Sequence, residues 1–96
     1  MSDKPAAPEK KLKIHLPDDT AQGAYANLTM VNHTETEFIL DFCFVQPQDA
    51  NARVRSRIIS SPRHTKRFLQ ALADNVERYE ARFGPIDVSK PSGNVH

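Results

Sequence analysis

The sequence predicts an α+β fold: a four-stranded antiparallel meander followed by one long C-terminal helix packed on one sheet face (ββββα). Three observations predict it. Four segments, 11–16, 24–33, 37–46 and 52–60, alternate with period two. Short polar or proline-containing breaks separate them. One segment, 62–83, switches to three- and four-residue spacing between a capping serine and a Gly-Pro stop.

In the first segment Leu12, Ile14 and Leu16 fall on one side and Lys11, Lys13 and His15 on the other, as in a half-buried strand. Pro17-Asp18-Asp19 ends it, and a polar loop runs on to Gly23. In the second strand Ala26, Leu28 and Met30 share a face, opposite Tyr25, Asn27, Thr29, Val31 and His33. His33-Thr34-Glu35-Thr36 suits a hairpin loop. The third strand carries Phe38, Leu40, Phe42 and Phe44 on one face and Ile39, Asp41, Cys43 and Val45 on the other. Both faces are apolar apart from Asp41. A sheet with one solvated face does not need that, so a second layer is expected, and another copy of the chain is its natural source.

Strict alternation in the fourth strand puts Val54, Ser56 and Ile58 on the core face and Arg53, Arg55, Arg57 and Ile59 on the other. The first strand could also be exchanged with a second subunit. Ser61 is an N-cap and Pro62 fits the first helical position. Phe68, Leu69, Leu72, Val76, Tyr79 and Phe83 make one apolar stripe, expected to cover the phenylalanine face. Gly84 is expected in the left-handed conformation at the helix end, and Pro85 forbids continuation. The domain is therefore expected over 11–86, with a disordered arm at 1–10 and a flexible tail at 87–96.

Composition bounds the function. The 96 residues fit one small domain, with 13 basic and 12 acidic side chains and a net charge of +1. That balance makes no whole-chain case for nucleic acid or acidic membranes. One cysteine excludes an intrachain disulfide and a cysteine-rich zinc site. His15, His33, His64 and His96 stand in separate segments without zinc-site spacing. Gly23, Gly84 and Gly93 are too scattered for a phosphate loop. The expectation is a non-enzymatic protein with no cofactor and no metal. The start has no apolar leader, and the run Phe38–Val45 is too short to span a bilayer as a helix. A cytoplasmic protein with no membrane association is expected.

Tyr25-Ala26-Asn27, Val31, His33, Glu37-Phe38, Leu40-Asp41-Phe42, Ser56-Arg57-Ile58-Ile59, Ser61-Pro62 and Phe83-Gly84 together resemble a family of small prokaryotic proteins of unknown function. The resemblance covers about residues 24–84 and implies no mechanism. Four strands followed by a helix are also similar in topology to the Whirly and Pur single-strand nucleic-acid binders and to the export chaperone SecB. Topology alone carries no function.

Two surfaces are candidates. The first is the second sheet face, where Tyr25, Val31, Ile39, Cys43, Val45 and Ile59, with His33 and Asp41, are expected to contact another copy, a dimer first, or a protein partner. The second is a basic face of Arg53, Arg55 and Arg57, extended by Arg63 and Arg67, for nucleic acid. Only Tyr25 is expected to offer an aromatic ring there. Asp41, a charge inside the most apolar strand, is expected to pair with an arginine of the fourth strand and fix register. Cys43 is expected to be a packed thiol.

Overall fold

The structure is a computed structural model describing residues 11–48 and 50–89. The arm expected at 1–10 and the tail from residue 90 lie outside the described residues. The architecture is α+β: a short helix α1 (Asp18–Ala21), strands β1 (Leu28–His33), β2 (Phe38–Val45) and β3 (Ala52–Ser60), and helix α2 (Pro62–Phe83). The sheet is antiparallel in the order β1-β2-β3, so β1 and β3 are its edges among the described residues.

Among the described residues the sheet has three strands, not four. Residues 11–16 form no ladder, and Leu12, Ile14 and Leu16 are 86%, 84% and 67% exposed. Alternation gives a segment the capacity to be half-buried; a strand also needs a neighbouring edge. Instead Pro17 accepts from the amides of Thr20 and Ala21 and starts α1. Asp18 and Asp19 sit in its first turn, where the helix dipole favours them. Gly23, at φ 75°, closes the turn onto Thr20.

β1 starts at Leu28 rather than Ala24, for a specific reason. The Asn27 side chain takes over the ladder at that end of the sheet. Its Nδ2 donates to the Val45 carbonyl at 3.1 Å and its Oδ1 accepts from the Val45 amide at 2.8 Å. The loop to β2 is held by Thr34, whose hydroxyl accepts from the amides of Thr36 and Glu37.

β3 and α2 fall on the residues the sequence indicates. Ser61 Oγ accepts from the His64 amide at 3.1 Å, and Pro62 opens the first turn. At the other end Gly84 has positive φ, 98°, but ψ is 167°, so it is not the expected left-handed helical residue. Pro85 explains this, because a residue before proline is driven to extended ψ.

The helix does not cover the phenylalanine face along its length. Its first turns adjoin the sheet, where His64, Thr65 and Phe68 meet Leu40, Phe42 and Ile58 around a hollow of about 210 Å³. No residue of α2 is buried, and Tyr79 and Phe83 are 51% and 65% exposed. The radius of gyration is 17.1 Å, against roughly 13 Å for a compact chain of this size. Among the described residues only Cys43 and Asp41 are buried.

Candidate interaction site

Which side chains share a face follows from the pairing register. Val31, Leu40 and Ile58 are cross-strand partners, as are Thr29, Phe42 and Ser56, and His33, Phe38 and Ser60. These nine make the phenylalanine face. On the opposite face Met30, Asp41 and Arg57 align, with Ile39 and Ile59 beside them.

A bulge then changes the pattern. Phe42 pairs with Ser56, but Cys43 pairs with Val54, so Arg55 is the extra residue on β3. Beyond it the faces of β3 are exchanged relative to strict alternation. Val54 joins Cys43 and Leu28 on the second face, whereas Arg53 pairs with Phe44. Arg53 and Arg55 line one shallow hollow with Phe44, Gln46 and Asn51.

The arginine stripe is therefore split. Arg57 alone of the three lies on the second face, where it meets Asp41. Its Nε donates to Oδ1 at 2.7 Å and its Nη2 to Oδ2 at 2.9 Å, a two-pronged ion pair. Hydrogen bonding to Arg57 holds the Asp41 carboxyl below its ordinary value, against the opposing effect of desolvation. The same bond raises Arg57. Asp41 is covered by its cross-strand neighbours, yet it sits in a single sheet with no second layer over it among the described residues, so its burial is shallow. Arg63, Lys66 and Arg67 form a separate basic hollow at the start of α2. It begins past Ser60, seven positions and about 23 Å along the strand from Arg53.

The ten candidate residues thus divide between the faces. Ile39, Asp41, Val45, Arg57 and Ile59 share the second face, as expected. Val31 and His33 belong to the phenylalanine face, His33 with its ring 5.4 Å from that of Phe38. Tyr25 packs edge-on to Phe44 at 6.1 Å, on that same side. The physical reason is pairing: Val31 lies opposite Leu40, not Ile39, which alternation within one strand cannot reveal. Cys43 is 1% exposed and its thiol donates to the Asp41 carbonyl at 3.5 Å, as a packed group does.

Sequence reasoning missed Leu28, Met30 and Val54, which join the second face at 41%, 47% and 48% exposure. It also missed an apolar groove of about 550 Å³ between the sheet and α2, bordered by Val31, Phe38, Leu40, Leu69 and Leu72. The helical stripe was the available signal for it. Among the described residues no group of three or more His, Cys, Asp or Glu is placed to hold a metal, and no helix is long and apolar enough to cross a membrane.

The family described as "Protein of unknown function (DUF3467)" matches residues 1–88. No curated protein and no solved structure matches the chain.

Proposed function

This chain belongs to the DUF3467 family of proteins of unknown function, and we propose that it is a non-enzymatic, homo-oligomeric binding or adaptor protein acting through protein–protein contacts. One observation carries the reading. Both sheet faces and the stripe of α2 leave large apolar side chains 38% to 65% exposed, while the buried core among the described residues is Cys43 and Asp41. Apolar area removed from water is worth about 25 cal/mol per Å², and ordering a chain costs roughly 1–2 kcal/mol per residue. A small domain that buries so little needs association to complete its core. A cytoplasmic location fits the lone buried thiol of Cys43. Light scattering at micromolar concentration is the test. A mass of at least twice the 10.8 kDa chain is expected, a dimer first; a monomer would overturn the reading. A chaperone-like variant of it is tested by suppression of aggregation of an unfolded client.

Nucleic-acid binding is the second reading. It is favoured by the bulge, which brings Arg53 and Arg55 beside Phe44 and so supplies the aromatic ring that strict alternation withholds. Against it, Arg57 is engaged by Asp41, and the next basic hollow begins only beyond the end of β3, at Pro62 and Arg63. Titration with single- and double-stranded oligonucleotides at two salt concentrations separates the readings. A steep salt slope lost in Arg53→Ala/Arg55→Ala supports the second.

A further inference from the structure

We infer that α2 is half of an antiparallel two-helix seam with the α2 of a second copy, and that the partner's Tyr79 and Phe83 fill the groove between sheet and helix. The inference rests on the homo-oligomeric reading above and specifies its geometry. Its first support is spacing. Thr65, Leu69, Leu72, Val76, Tyr79 and Phe83 are separated by four, three, four, three and four residues. That is an unbroken a/d repeat, the pattern of a helix that packs lengthwise on another helix. A helix laid across a sheet does not require it. From Leu69 to Phe83 all five of these apolar side chains are at least 38% exposed.

The second support is charge. When two such helices run antiparallel with the greatest number of shared layers, Thr65 faces Phe83 of the other copy, Leu69 faces Tyr79, and Leu72 faces Val76. The flanking positions then bring Lys66 beside Glu80 of the other copy, twice by symmetry, and Ala73 beside Ala73. No like charges meet. A parallel pair instead sets Asn75 beside Glu80 and Phe68 beside Ala73, and gains no ion pair. Among the described residues Glu80 is engaged through Oε2, by the Ile86 amide, and its Oε1 takes no partner there.

The third support is the groove itself. Leu69 and Leu72 form one wall and Val31, Phe38 and Leu40 the other, and Lys66 lies at its border. In the antiparallel register these are the residues that the partner's helix end must meet. That end carries Tyr79 and Phe83, whose ring centres lie 4.9 Å apart with the planes tilted by 44°. Aromatic side chains bury about 150–250 Å² each. With roughly half of that still exposed here, four rings supply about 400 Å². A stable interface needs about 1,200 Å², so the leucines, Val76 and the groove walls must join it, and the whole seam has to close.

The test is disulfide formation in the full chain with Cys43→Ala as background, comparing Leu69→Cys and Tyr79→Cys proteins alone and mixed, oxidised with diamide. In the antiparallel seam residue 69 faces residue 79, while the two copies of residue 69 lie about 15 Å apart along the axis. The mixture is expected to cross-link between chains, and each variant alone is not. Cross-linking of each variant alone, without the mixed product, would establish a parallel pair and overturn the inference. Light scattering on the same samples separates its failure from that of the broader reading. An oligomer that forms no cross-link at all removes the seam and leaves the homo-oligomer standing; a monomer removes both. Val76→Glu is expected to halve the scattering mass, and an unchanged mass counts against the seam.

Discussion

Asn27→Ala is expected to open the sheet at its Val45 end. In the native chain the Asn27 amide makes two hydrogen bonds to one residue, donating to the Val45 carbonyl and accepting from the Val45 amide. Each such bond contributes about 0.5–1.5 kcal/mol net. Both are part-buried at a strand end, so water replaces them incompletely, and a loss of about 2 kcal/mol follows. Urea unfolding followed by circular dichroism measures it, at one fixed protein concentration, because an oligomer's stability depends on concentration. Hydrogen exchange reports the site directly: 2 kcal/mol corresponds to about thirtyfold faster exchange at the Val45 amide. Asn27→Asp is the control. It keeps an acceptor for the Val45 amide but sets a second oxygen against the Val45 carbonyl, so amide protection should survive better than in the alanine variant. If Val45 exchanges equally slowly in wild type and Asn27→Ala, the side chain is not what closes that end of the ladder.

Two further perturbations address the helix start and the ion pair. Ser61→Ala removes the acceptor of the His64 amide and should cost about 1 kcal/mol; an unchanged urea midpoint would rule out the cap. Because the folded state holds Asp41 below its ordinary pKa, its pair with Arg57 stabilises fully above the unfolded value, about 3.9. That contribution is lost as pH falls from there through the folded value. Wild type should therefore lose stability more steeply than Asp41→Asn below about pH 4, and parallel pH curves would refute the linkage.

What the sequence made legible was local chemistry. Ser61-Pro62 and Gly84-Pro85 mark the two ends of α2 because each acts on its own few bonds. The pairing of Asp41 with an arginine of the next strand was legible as a need, since a carboxylate in so apolar a strand requires a cation. What stayed hidden depends on neighbours. Leu12, Ile14 and Leu16 state a preference for one wet and one dry side and say nothing of the edge that would receive them. Alternation through 53–57 cannot reveal that Arg55 is an insertion, because a bulge is defined by the partner strand. For the same reason Val31 and His33 were assigned to the wrong face, and Asn27 passed for an ordinary strand residue.

The two edges of the sheet are chemically unequal, and this bears on how far association can run. On β3 the positive charges of Arg53 and Arg55 repel the same strand of another molecule, and inserted Arg55 adds a kink that spoils a flat match. The strand on the opposite side, Leu28–His33, has no lysine, arginine, aspartate or glutamate. Strand-to-strand growth therefore has one permissive terminus and one blocked terminus. Two chains that joined at the permissive side would expose only blocked edges, so strand addition by itself stops at a pair of chains, and anything longer has to use a different contact such as the helix seam.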